Sequence, residues 1–128
     1  MEFVLYCLDR PDAMSERVQR RVPHLAYASS QQHVFRFGGP LLNSAGRACG
    51  SLMILDVADR DALEAHMRAD PFFAEGLFGT VTVWATRQVM PERVPGSLAA
   101  EVESARRTAG IESAATPALS TVARVMNR

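Results

Sequence analysis

Glu2-Phe3-Val4-Leu5-Tyr6-Cys7-Leu8 is the stretch that decides the architecture of this chain, because it is short and apolar at nearly every position. In an extended backbone successive side chains point to opposite faces, so Phe3, Leu5 and Cys7 share one face while Val4, Tyr6 and Leu8 share the other. A strand of this kind is buried on both sides. Asp9-Arg10-Pro11-Asp12 then supplies turn chemistry and ends it.

Reading outward, Met14, Val18, Val22, Leu25 and Ala28 recur at intervals of three or four and predict one apolar face of a helix, which Pro23 must kink or restart. His33 to Phe37 reads as a second strand closed by Gly38-Gly39-Pro40. The stretch Leu41 to Gly50 carries Asn43, Ser44 and Gly46 and reads as a hairpin connection. Ser51 to Asp56 is a third strand, again apolar on both faces. Asp59 or Asp61 can cap a second helix with Leu63 and Met67 turned inward, and that helix ends near Asp70 because Pro71 follows. After a short turn of helix at Pro71 to Glu75, Leu77 to Ala85 has strand composition.

The order is βαββαβ, which predicts an α+β fold: an antiparallel sheet with both helices on one face, the split βαβ or ferredoxin-like arrangement. Helices cover one face only, yet the first and third strands are apolar on both. The uncovered face is therefore expected to meet a second copy, sheet to sheet, as a homodimer.

A chain of 128 residues holds one domain with a core, here residues 1–88, followed by a linker and tail over 89–128. Two prolines mark the linker between Met90 and Gly96. Ser97 to Ala109 is alanine-rich and helix-prone, and Thr116-Pro117 opens a second helical stretch with Leu119, Val122 and Met126 on one face. The tail is expected to be helical.

Charged residues balance at 14 acids and 14 bases, so neither nucleic acid nor a membrane is an expected partner. No signal peptide or spanning segment is visible. Cys7 and Cys49 make neither a disulfide framework nor a zinc set, which points to reduced thiols in the cytoplasm. Every one of the 14 basic residues is arginine; without lysine, Schiff-base and pyridoxal chemistry on a lysine amine are excluded. Nucleotide-binding glycine loops, HExxH, paired CxxC and GxSxG are all missing, so no cofactor or metal is expected.

What remains for chemistry is a sparse set of polar groups. His24 follows Pro23 and shares a helical face with Arg17, Arg20 or Arg21, whose cations favour a neutral imidazole. Periodicity alone reads it as a half-exposed helix histidine. Asp70 stands where the second helix stops, at the unfavourable end of the helix dipole, and equally well as the N-cap of the short turn beginning at Pro71. Gly39 and its neighbours offer backbone N–H groups to an oxyanion, or form only a turn. His33 and His66 read as surface or packing residues.

Taken together, Arg20-Arg21-Val22-Pro23-His24-Leu25, Gly38-Gly39-Pro40, Gly50-Ser51-Leu52 and Asp70-Pro71-Phe72-Phe73-Ala74-Glu75-Gly76-Leu77-Phe78 resemble the YCII-related family, over residues 1 to about 88. That resemblance implies a ferredoxin-like fold of the dimeric α+β barrel type that pairs through its sheet. It implies that His24 and Asp70 match the family's histidine and aspartate, a catalytic pair in a cleft between helices and sheet. The family is similar in fold to muconolactone isomerases and includes a dehydrochlorinase of a chlorinated hydroxyhydroquinone, so small cyclic or aromatic substrates are implied.

The resulting expectation is a cofactor-independent lyase or isomerase. His24 is the base and Asp70 its orienting or acid partner; Gly39 and Pro40 line the site, and Arg17 or Arg20 attracts an anion. The alternative expectation is a non-catalytic module that binds a small molecule or assists a neighbouring enzyme.

Overall fold

The computed structural model describes residues 1–111. The chain divides into two compact units, Met1–Arg87 and one that begins at Gln88. In the first, the elements run β1 (Glu2–Asp9), α1 (Met14–Ser30), a single 3₁₀ turn (Gln32–Val34), β2 (Phe35–Leu42), β3 (Ala48–Asp56), α2 (Arg60–Ala69), α3 (Pro71–Ala74) and β4 (Phe78–Thr86). The sheet is antiparallel in the order β2-β3-β1-β4, a ferredoxin-like α+β arrangement. β1, apolar on both faces, is central, as its composition requires.

Register sorts the side chains of the sheet. Phe3 faces Leu55, Leu5 faces Met53 and Cys7 faces Ser51, all on the side covered by the helices. Phe3, Leu5, Cys7, Met53 and Leu55 join Leu63 of α2 in one buried cluster, with Met67 packed against it. Full burial of a side chain such as Leu or Phe contributes about 1.5–3 kcal/mol relative to exposure. The pairs Val4 with Ile54, Tyr6 with Leu52 and Val4 with Trp84 occupy the other face. There Trp84 is 68% exposed and Tyr6 44%.

Asp59, not Asp61, caps α2: its carboxylate accepts the Ala62 N–H at 2.8 Å. Both readings of Asp70 hold, since it ends α2 and caps α3 with Pro71 in the first position. The inward face of α1 is not the apolar one. Met14, Val18 and Val22 point to solvent, Val18 at 64% and Val22 at 75% exposure, whereas Arg17, at 5%, is buried. Polar partners on the sheet and on α3 outweigh the apolar stripe in choosing the face. Pro23 does not restart the helix, which is continuous through it; the carbonyl that loses its helical partner belongs to the exposed Gln19.

Two further boundaries differ from expectation. His33 lies in the 3₁₀ turn, and Gly38-Gly39-Pro40 is not a turn but the middle of β2. β2 is an edge strand, the one place in a sheet where a proline without an N–H costs no ladder bond. Gly50 is required in β3, because a Cβ there would stand 2.2 Å from the Cys7 carbonyl oxygen.

The second unit contains α4 (Ser97–Ala109), bounded by Gly96 at φ 88° and Gly110 at φ 70°, left-handed positions that glycine occupies without strain. The second helical stretch expected from Thr116-Pro117, with Leu119, Val122 and Met126, lies outside the described residues. No helix among the described residues is long and apolar enough to cross a membrane.

Candidate active site

His24 and Asp70 come from different helices, 46 positions apart, and meet: His24 Nδ1 lies 2.7 Å from Asp70 Oδ1. The local reason is the α2–α3 corner. Asp70 turns its side chain back to accept the Phe72 N–H at 2.9 Å, which is N-cap geometry, and this aims the carboxylate under α1. The same corner places the Phe72 ring flat against the imidazole, with centroids 3.9 Å apart and planes 8° from parallel. A hydrogen bond at one edge and a stacked ring on one face together fix the imidazole plane. Because a carboxylate only accepts, Nδ1 carries a proton, and in the neutral ring it is Nε2 that keeps the lone pair.

Asp70 is fully buried, and its second oxygen, Oδ2, has no hydrogen-bond partner among the described residues. Cys7 lies close enough to feel it. Burial first, and the Asp70 and Asp9 carboxylates next, push the Cys7 thiol up to about 12, so this sulfur stays protonated and unreactive.

Arg17 approaches from two turns earlier on α1. Its guanidinium takes Asp9 in a two-pronged grip, Nε to Oδ2 at 2.6 Å and Nη2 to Oδ1 at 3.0 Å, and Nη2 also donates to Ser51 Oγ at 2.9 Å. It lies 4.8 Å from the centre of the Phe72 ring. Most of its donors are thus spent on fixing α1 to β1 and β3.

Between α1 and the β2–β3 side of the sheet lies a cleft of about 500 Å³. Arg17, Arg21, His24 and Leu25 form its helical wall, Gly38, Gly39, Pro40, Ser51 and Met53 its sheet wall, and Phe35 and Phe72 contribute rings. This is the size and mixed polarity of a small-molecule site. Asp70 stands behind His24 and forms no part of the wall.

Four of the six residues singled out from the sequence, His24, Arg17, Gly39 and Pro40, therefore line one cleft, and Asp70 supports it from behind. Arg20 does not line it. It pairs outward with Glu75 at 2.6 Å and Glu16 at 3.2 Å. Arg21 takes the place on the wall; its spacing of four from Arg17 was the available signal, and three versus four residues is the difference between the two arginines. Periodicity carried no signal for the stacked Phe72 or for Ser51 beneath Arg17; both stood in the motif series without an assigned role. Among the described residues no group of three or more His, Cys, Asp or Glu is placed to hold a metal ion.

The model of the YCII-related domain matches residues 1–87. The chain belongs to the YCII-related family. Among solved structures it is similar to the 5-chloro-2-hydroxyhydroquinone dehydrochlorinase TftG from Burkholderia phenoliruptrix AC1100 in complex with 2,5-dihydroxybenzoquinone. The identity is 28% and the TM-score 0.66, over 69% of this chain and 95% of that one. A more distant likeness is to Rv0793 from Mycobacterium tuberculosis, at 20% identity and TM-score 0.42, over 73% of this chain and 97% of that one. No curated protein matches. The YCII-related match ends where the second unit begins, so α4 lies beyond the part shared with the family.

Proposed function

We propose that this YCII-related protein is a cofactor-independent lyase or isomerase that moves a proton on a small cyclic or aromatic substrate held in the α1 cleft. The observation that carries the reading is the 2.7 Å contact of His24 Nδ1 with the buried Asp70, made by a histidine that also lines a cleft of about 500 Å³. Asp70 holds the tautomer in which Nε2 is free to act as base, and its negative charge stabilises the imidazolium once a proton has been taken. Arg17 and Arg21 bring positive charge to the wall and suit an anionic or phenolate oxygen. The edge strand at Gly39 presents backbone groups to the same space.

For a chlorinated hydroxyhydroquinone of the kind named for TftG, ketonisation moves one hydroxyl proton to the chlorine-bearing carbon, and the base then takes a second hydroxyl proton. That electron pair forms the second carbonyl and expels chloride through the ring, so HCl is lost overall and no electron acceptor is needed. In an isomerisation the same proton returns at another carbon. Arg20, which faces away, has no part in either step.

The open sheet face supports the homodimer. Tyr6, Phe37 and Trp84 are exposed there beside Leu52 and Ile54, an apolar surface of the kind a second sheet covers. Trp84→Glu is expected to shift sedimentation from dimer to monomer; unchanged sedimentation of a dimer would exclude this face.

The test of the chemistry starts from a panel of hydroxyhydroquinones and hydroxybenzoquinones, including 5-chloro-2-hydroxyhydroquinone. For a member that is turned over, His24→Ala is expected to lower kcat by about 10²–10⁴-fold. Asp70→Asn is expected to lower kcat with little change in KM. Unchanged turnover in both variants would overturn the assignment. Saturable binding of 2,5-dihydroxybenzoquinone without turnover of any member would favour a binding module instead.

A further inference from the structure

Two buried side-chain atoms are left without a hydrogen-bond partner among the described residues, His66 Nε2 and Asp70 Oδ2. Their residues are four apart at the end of α2, where the Asp70 N–H donates to the His66 carbonyl at 3.0 Å, so both side chains leave the same face of the last helical turn. One atom belongs to a ring that can donate and the other to a carboxylate that can only accept. An unmet donor and an unmet acceptor on adjacent turns are complementary, and leaving both unsatisfied costs about 1–3 kcal/mol for each.

The surroundings settle the tautomer. On the other side of the ring, Nδ1 faces the Tyr27 hydroxyl of α1 at 3.4 Å, a group that donates or accepts as required. A carboxylate offers no such choice: an N–H turned toward it is attracted, and a lone pair is repelled. With Tyr27 donating to Nδ1, the single proton of a neutral ring sits on Nε2. The ring is neutral because burial holds its imidazole below the ordinary value of 6.5, with the Asp70 charge opposing that shift and His24 adding to it. Phe35 of β2 meets the ring edge-on at 5.5 Å and brings no charge. Among the described residues, the charged and titratable groups around this pair are Tyr27 and His24 from α1, Asp70 itself, Cys7 from β1 and, along the hollow that His66 lines, Asp56 of β3 and the Met1 N-terminus.

We propose that His66 is a positioning residue for the His24–Asp70 pair: its Nε2–H serves Asp70 Oδ2, directly on a side-chain rotation or through one bridging water, while Tyr27 donates to Nδ1. Oδ1 then belongs to His24 and Phe72, and Oδ2 to His66. The carboxylate cannot turn, and the imidazole it holds keeps one orientation toward the cleft. For turnover this rests on the catalytic reading above, but the arrangement is measurable without a substrate.

The experiment uses the intact, ¹⁵N-labelled chain. Long-range ¹H–¹⁵N spectra are expected to show His66 as the Nε2–H tautomer, with a proton slow to exchange with solvent. His66→Phe is expected to move the His24 Nδ1–H resonance downfield, because an Asp70 oxygen that loses its donor makes the carboxylate a stronger acceptor for His24. His66→Gln, which restores an N–H, is expected to return the resonance toward its original position. Tyr27→Phe, which removes only a hydroxyl, is expected to keep the Nε2–H tautomer of His66, because Asp70 still attracts that proton; a change to the Nδ1–H tautomer would overturn the proposal, and this variant serves if His66→Phe does not fold. An Nδ1–H tautomer in the unaltered chain overturns the proposal, as does a His24 resonance that responds identically to Gln and Phe. Neither result touches the assignment of His24 as base, which stands or falls on turnover.

Discussion

The two long helices that cover the sheet obey opposite rules. α2 turns its apolar side inward, as its periodicity predicts, with Leu63 in the core and Met67 packed against it. α1 turns its polar side inward and leaves Met14, Val18 and Val22 in solvent. The inner surface of α1 carries Arg17, His24 and Tyr27, each with a polar partner on another element: Asp9 and Ser51, Asp70, and His66. An apolar stripe decides which way a helix faces only when nothing stronger competes. Here a buried ion pair and two further polar contacts compete and win. The helix that departs from the rule is the one that carries the candidate chemistry, which is where departures from locally consistent sequence design are expected.

The contrast between the helices can be attacked at graded strength. The largest effect is expected at Arg17. Arg17→Met leaves the nearly buried Asp9 carboxylate without its partner, and urea unfolding should show a loss of about 3–5 kcal/mol. Leu63→Ala, on the helix that follows the rule, empties a core site and should cost about 2–4 kcal/mol by the same measurement. If Arg17→Met cost less than about 1 kcal/mol, the polar contacts would not be what turns α1.

A smaller effect comes from pH. Burial holds the His66 imidazole below 6.5, so on acidification the unfolded chain takes up the proton first. The stabilising contribution is complete above about 6.5 and is lost as pH falls below it, and His66→Gln should remove that part of the acid sensitivity. The smallest effect belongs to the exposed stripe. Val18→Ser and Val22→Ser should each change stability by no more than about 0.5 kcal/mol. A loss of several times that would show that the stripe is covered in solution.

The cysteines separate along the same line between inner and outer surfaces. Cys7, pushed up to about 12, should resist alkylation at pH 8 in the folded chain, whereas the half-buried Cys49 should react. Equal rates would place Cys7 outside the core.

The strands were legible because their signal is local. Seven consecutive residues alternating across two apolar faces leave little choice, and register then followed from burial: a slip of one residue would exchange the faces of β1. The caps were legible for the same reason, since Asp59 and Asp70 each reach a backbone N–H two or three residues away. The inner face of α1 was not legible. Its deciding partners, Asp9, Ser51, His66 and Asp70, lie between 8 and 46 positions away from the α1 residues they hold, and no periodicity within α1 contains them. Gly38-Gly39-Pro40 has the local chemistry of a turn and is nevertheless a strand, because edge placement, which tolerates a proline, is a property of the sheet as a whole.

For the candidate site the division is similar. Residue types and the motif series pointed to His24 and Asp70, and the absence of lysine excluded a whole class of amine chemistry from composition alone. Only the tertiary structure brought the two within 2.7 Å, stacked Phe72 on the imidazole and chose Arg21 over Arg20 for the cleft wall. The reason is the range of the forces involved. Propensity, alternation and capping act within a few residues and are written in the chain, whereas the direction of a helix about its own axis is set by partners that only the fold assembles.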